Sequence, residues 1–156
     1  MAGNAYRLLD DWRLPPGCTE EGKLDERAFK DWLSYVKEST HTTGHFEVAM
    51  GQFGQVLPYS PPDPDGLWVH KTVADALNAK DADAMRSGFT CELFNMRGTH
   101  GFTGGKEERE IAAGYREKAE AVEGAGFHRL ATSLREFAVS YERDAERDAK
   151  RGPYGR

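Results

Sequence analysis

The segment from Asn95 to Gly105 is where this sequence comes nearest to chemistry. It strings Asn95, Arg97, Thr99 and His100 along a glycine-rich backbone that enters a helix-period stretch through Gly104-Gly105. A guanidinium beside the unpaired amides of a helix N-terminus is the raw material of an anion or phosphate site. The order is not that of a Walker loop, since no Gly-Lys-Ser/Thr is present and Lys106 leads into Glu107-Glu108, whose charges repel anions. A purely structural reading has Arg97 clamping carbonyls or an acid, Asn95 capping the preceding helix and the glycines only turning. Asn95, Arg97, Thr99 and His100 are the candidate binding residues.

Other reactive side chains form weaker patterns. His41 and His45 share a four-residue spacing, but Gly44 lies between them and no glutamate stands where a metalloprotease needs one. The acids Asp10-Asp11, Glu20-Glu21, Glu107-Glu108, Glu142 and Asp144 are numerous. Acid–base catalysis asks for two carboxylates in a cleft with separated pKa values, and these all read as exposed helix faces or loops. No Gly-x-Ser-x-Gly elbow occurs, and neither Cys18 nor Cys91 has a nucleophile's context. No catalytic residue, metal ligand or cofactor is assigned, and the reading leans away from an enzyme. Trp12, Trp32, Trp68, Phe46 and Phe53 could be stacking platforms for bases, but they fall on apolar stripes with few interleaved cations, as core residues do. The late basic residues Arg143, Arg147, Lys150 and Arg151 are nearly cancelled by alternating acids.

The elements that must carry these residues are helical. Tyr6, Leu8, Leu9 and Trp12 make a short amphipathic helix that Leu14-Pro15-Pro16-Gly17 stops. Asp25 reads as the N-cap of a second helix, with Phe29, Trp32, Leu33 and Val36 on its buried stripe and Gly44 at its end. In His45–Leu57 the residues Phe46, Ala49, Met50, Phe53, Val56 and Leu57 keep the period. Gly51 and Gly54 there cost about 1 kcal/mol each in propensity, which points to close approach by a neighbouring element. Pro58–Gly66 is a rigid internal loop. Trp68–Leu77 and Lys80–Phe94 follow as helices, although Phe89, Cys91 and Leu93 also alternate as a short strand would. The clearest signal comes last. Ile111, Ala112, Tyr115, Ala119 and Val122, then Leu130, Leu134, Phe137, Ala138, Tyr141 and Ala145, form two stripes around Gly124-Ala125-Gly126, a break short enough to demand an antiparallel hairpin.

With 156 residues the chain is one domain's worth and can bury roughly 70% of its unfolded surface. An apolar fraction of 38% and a charged fraction of 30% suit a hydrophilic protein with a core, and the net charge of −5 opposes broad attraction to nucleic acid or anionic membrane. Two distant cysteines, no signal-peptide pattern and no membrane-length apolar run give a cytoplasmic expectation with reduced thiols.

Several stretches resemble the C-terminal region of a family of large uncharacterised bacterial proteins. They are Leu8-Leu9-Asp10-Asp11-Trp12-Arg13-Leu14-Pro15-Pro16-Gly17, Asp63-Pro64-Asp65-Gly66-Leu67-Trp68, Phe94-Asn95-Met96-Arg97-Gly98, Gly104 through Arg116, and Tyr141-Glu142-Arg143-Asp144-Ala145. Members often carry the automatic label of Xre-type helix-turn-helix regulator. The resemblance covers most of the chain and implies no established activity or catalytic residue. It implies an excised domain or a stand-alone relative, because the long preceding region is missing. The chain departs from the family in having Gly124-Ala125-Gly126-Phe127 in place of a Trp-Pro-type connection. It also shows no recognition helix with clustered polar and basic residues to match the regulator label.

The expected fold is therefore all-α, a single domain over residues 1–156 of about six or seven helices, with a flexible tail over 151–156. The expected function is a non-enzymatic interaction or scaffold module that binds a protein partner through a helical face or the Asn95–Gly105 loop. The alternative is a nucleic-acid-binding accessory domain of a bacterial regulatory or defence system.

Overall fold

A computed structural model describes residues 12–99, 101 and 103–151. The expected helix at Tyr6–Trp12, apart from its last residue, and the tail beyond Arg151 lie outside the described residues. The architecture is all-α. Six α-helices stand among the described residues, and the one extended pairing there is an isolated antiparallel bridge between Cys18 and Leu24. Contacts divide the chain into two compact units, one ending at Asn95 and the other starting at Met96.

In the first unit, α1 spans Glu26–Thr43 and starts where Asp25 places it, the carboxylate accepting the Ala28 N–H at 3.0 Å. It runs on through Ser39–Thr43, where the sequence pattern fades. Thr40, Thr42 and Thr43 turn their hydroxyls back onto the carbonyls of Val36, Glu38 and Ser39, so these polar residues remain compatible with the helix. Gly44 ends it in the left-handed region at φ 75°. Helix α2 (Phe46–Val56) follows and tightens into the 3₁₀ turn Leu57–Tyr59. After a loop, α3 (Lys71–Asn78) and α4 (Asp83–Met96) complete the unit. Helix α4 stays helical through Thr90–Phe94, which removes the strand alternative; α3 begins three residues later than Trp68.

What sets the spacing of α2 and α4 is the absence of side chains at their crossing. A Cβ built on Gly54 would overlap the carbonyl of Met85, and one on Gly88 would overlap the carbonyl of Gly51. The backbones themselves touch, which is the close approach that Gly51 and Gly54 imply in the sequence. Around the crossing lie Phe29, Met50, Phe53, Val73, Leu77, Met85 and Phe89, all buried. The Trp32 ring stands 4.8 Å from Phe53 and 5.6 Å from Trp12, centre to centre, and Trp68 lies 6.4 Å from Phe89. The tryptophans are packing groups. Buried Arg86 donates to the carbonyls of Leu77 at 2.6 Å and Ala79 at 2.8 Å and pairs with Asp83, tying the open end of α3 to α4.

The second unit is the hairpin of α5 (Lys106–Gly124) and α6 (His128–Arg151). Its turn closes with Gly126 and Phe127 N–H donated to the carbonyls of Glu123 and Val122, both at 2.9 Å. Ala112, Ala119, Val122, Leu130, Leu134, Ala138, Tyr141 and Ala145 are the buried stripes. Tyr115 and Phe137 pack edge to face at 4.7 Å beside Tyr141, and burial pushes the Tyr115 phenol up to about 12. Arg116 with Glu142 and Arg135 with Glu123 bridge the two helices on their outer side.

The two kinds of helical glycine separate experimentally. Gly54→Ala and Gly88→Ala should each lower unfolding free energy by about 2–3 kcal/mol, because backbone must move to admit a methyl group. Gly114→Ala, on an open stretch of α5 with nothing within 4 Å, should raise it by about 0.5–1 kcal/mol. Urea denaturation of the three variants measures both signs.

Candidate functional site

The loop following α4 does not present its arginine to solvent. Arg97 folds against the first turn of α5, where its guanidinium donates to Glu108 at 2.7 Å and stands 3.5 Å from Glu107. Its side chain is 10% exposed and that of Glu108 is 2% exposed. Beneath them lies Tyr141 of α6, whose ring centre is 5.3 Å from the guanidinium carbon. Thr103 completes the cluster, donating its hydroxyl to the other Glu108 oxygen at 3.2 Å and accepting the Glu107 N–H at 3.4 Å. Arg97 Nε is buried and finds no acceptor among the described residues.

The local sequence explains why this forms. A glutamate in the first turn of a 19-residue helix sits at the positive end of the macrodipole, where its charge is favoured. The loop must bring that turn close to α6, and Gly105 allows it. At φ 82° its missing Cβ leaves room for Ala145, whose carbonyl carbon would lie 2.9 Å from a side chain there. Glu108 is thereby buried at the hairpin's open end, and a buried carboxylate needs a cation. Arg97 supplies it. The hydrogen bond from Arg97 holds the Glu108 carboxyl below its ordinary value against the opposing effect of burial, with Thr103 adding to the depression. Burial alone would lower Arg97, but its hydrogen bond and charge interaction with Glu108 raise it.

The four candidate binding residues are thus dispersed in role. Arg97 is spent on the internal acid, as the structural reading allows. Asn95 lies inside the last turn of α4 and is no cap; its amide donates to Glu92 at 3.3 Å on the same helix. Glu92 is buried and also accepts the Tyr59 hydroxyl at 2.5 Å, which raises the Tyr59 phenol. Thr99 is exposed. His100 lies outside the described residues. Glu108, expected as an acid on an exposed helix face, is buried instead, and with Thr103 it organises the site. The sign of their importance was the burial stripe of α5, since Glu108 stands four residues before Ala112 and shares its inward face.

The remaining candidates are accounted for locally. His41 stacks on the Phe46 ring at 3.9 Å across the α1–α2 turn, and His45 takes the N-cap position of α2. Among the described residues, no group of three or more His, Cys, Asp or Glu side chains gathers as a metal would require. A hollow of about 460 Å³ on α6 is lined by Thr132, Arg135, Glu136, Val139 and Arg143. Its charges are of both signs and Arg135 is already engaged by Glu123. Comparison with protein-family models, with curated proteins and with solved structures gave no match to this chain.

The Arg97–Glu108 pair makes a signed prediction. Arg97→Met leaves Glu108 buried without a cation and should cost about 3–5 kcal/mol at pH 7. Because Glu108 titrates below its ordinary value of 4.5 in the folded chain, its contribution is complete above that pH and is lost as pH falls beneath it. Denaturant midpoints measured between pH 7 and 3 should therefore converge for wild type and Arg97→Met at the acid end.

Proposed function

We propose that this chain is a non-enzymatic, helical protein-binding module, and that the segment from Met96 through Thr103 is its contact surface. The observation that carries this reading is the internal neutralisation of Arg97 by Glu108. A loop built to receive an anion would leave its guanidinium available, whereas this loop uses it as an anchor. What its described residues turn outward is neutral: Met96 is 52% exposed, and Gly98, Thr99, Gly101 and Thr103 are exposed with it. Phe94, two residues earlier in the chain, is 48% exposed. Methionine and aromatic side chains on an anchored backbone suit a protein interface better than a phosphate site. The paired cations of the hairpin, Arg116, Arg135 and Arg147, each engaged by a carboxylate, argue against a nucleic-acid surface. No helix among the described residues is long and apolar enough to cross a membrane. With Cys18 and Cys91 both free thiols, the cytoplasm is the compartment that fits.

Affinity capture from the native host with wild type and Met96→Asp tests the reading. A protein retained by wild type and lost with Met96→Asp, at unchanged folded stability, is the expected result. Binding of duplex or single-stranded oligonucleotides with an affinity that falls steeply with salt would overturn it in favour of a nucleic-acid function.

A further inference from the structure

Helix α3 begins in an unusual way, with a titratable ring as its cap. The His70 side chain accepts the Thr72 N–H through Nδ1 at 3.2 Å, and the residue is only 5% exposed. An N-cap is normally a serine, threonine, aspartate or asparagine, whose oxygen remains an acceptor at neutral and mildly acid pH. An imidazole nitrogen is an acceptor only while it lacks a proton, so this bond requires the neutral ring with hydrogen on Nε2.

The corner around His70 is otherwise fully committed. Buried Asp63, from the preceding loop, accepts the Lys71 N–H at 2.9 Å and the Asp65 N–H at 3.0 Å. It also closes its own turn, donating its N–H to the Leu67 carbonyl at 2.9 Å and accepting the Gly66 N–H at 3.0 Å. Lys71 places its ammonium 2.7 Å from Asp65 and 3.8 Å from Asp63. The first two amides of α3 are thus held by two side chains, Asp63 for Lys71 and His70 for Thr72. Asp63, Lys71 and Asp65 are the charged groups at this corner.

We propose that His70 is a proton-operated clasp on the loop 61–69: with Nδ1 unprotonated it closes the first turn of α3, and with Nδ1 protonated it releases that turn. A protonated Nδ1 would point its hydrogen at the Thr72 N–H, donor against donor, at the positive end of a helix and away from water. The ring must then leave Thr72. The sign follows. The closed form is favoured while Nδ1 carries no proton and is lost as pH falls far enough to place one there.

The test is amide hydrogen exchange at Thr72, corrected for intrinsic rates, on the full chain at pH 8 and pH 5. Wild type should lose protection at Thr72 by roughly tenfold or more at the lower pH, while amides in the middle of α1 keep theirs. His70→Asn substitutes a cap that does not titrate and should hold Thr72 protection constant across the same range. Equal protection of wild-type Thr72 at both pH values would overturn the proposal. So would a loss that persists in His70→Asn, because the carboxylates would then be responsible. If His70→Asn does not fold, nitrogen-15 shifts of the wild-type ring decide: Nδ1 must be the unprotonated nitrogen at pH 8, and a proton found there overturns the clasp.

Discussion

The contact between the backbones of α2 and α4 at Gly51, Gly54 and Gly88 governs the first unit. Two helices that touch without intervening side chains have little freedom of rotation or slide, because any shift drives a carbonyl into a neighbouring peptide. Once that crossing is fixed, Phe53 and Phe89 are held on the flanks where Phe29, Trp32 and Trp68 meet them. Arg86, between Met85 and Gly88 in the chain, then collects the carbonyls at the end of α3. The order of causes runs from missing Cβ atoms to aromatic layer to buried polar anchor.

The second unit rests on a different principle. Its helices meet through alanines, Val122, Leu130, Leu134 and Tyr141, and its open end is secured by a buried ion pair. Such a pair contributes little net stability when compared with apolar packing, but breaking it by halves is costly, so it specifies one arrangement of the loop. Arg97, Thr103, Glu108 and Tyr141 together determine how the chain enters α5. The polar interior of this unit fixes the geometry of that entry.

Some of this could be read from residues alone because the signals were local. Asp25 three residues before Ala28, Gly44 after a fading stripe, and paired helical periods around Gly124-Ala125-Gly126 each act within a turn or two. Gly51 and Gly54 declared a close neighbour but did not name it; Gly88 lies in a segment whose alternating Phe89, Cys91 and Leu93 drew the reading toward a possible strand. The pairing of Arg97 with Glu108 was hidden for another reason. Two consecutive glutamates at a helix start look like dipole-favoured surface charge, and Glu107 does remain partly exposed. Only the rotation of α5 against α6 turns Glu108 inward, and that rotation depends on Ala145, far along the chain. His70 was one histidine among five, with no spacing to mark it as a cap.

Gly105 against Ala145 has a consequence for how this hairpin can change. The two helices are joined at the Gly126 turn and pressed together again at their far end, so the stretch between is a ladder with both rungs fixed. One residue added or removed between Gly126 and Ala145 would swing everything beyond it by about 100°. Ala145 would leave the notch that Gly105 provides, and a bulkier or charged neighbour would arrive in its place. Length variation in this unit is therefore confined to matched changes in both helices or to the segment past Ala145, and a change in α6 alone must leave the count between Gly126 and Ala145 untouched.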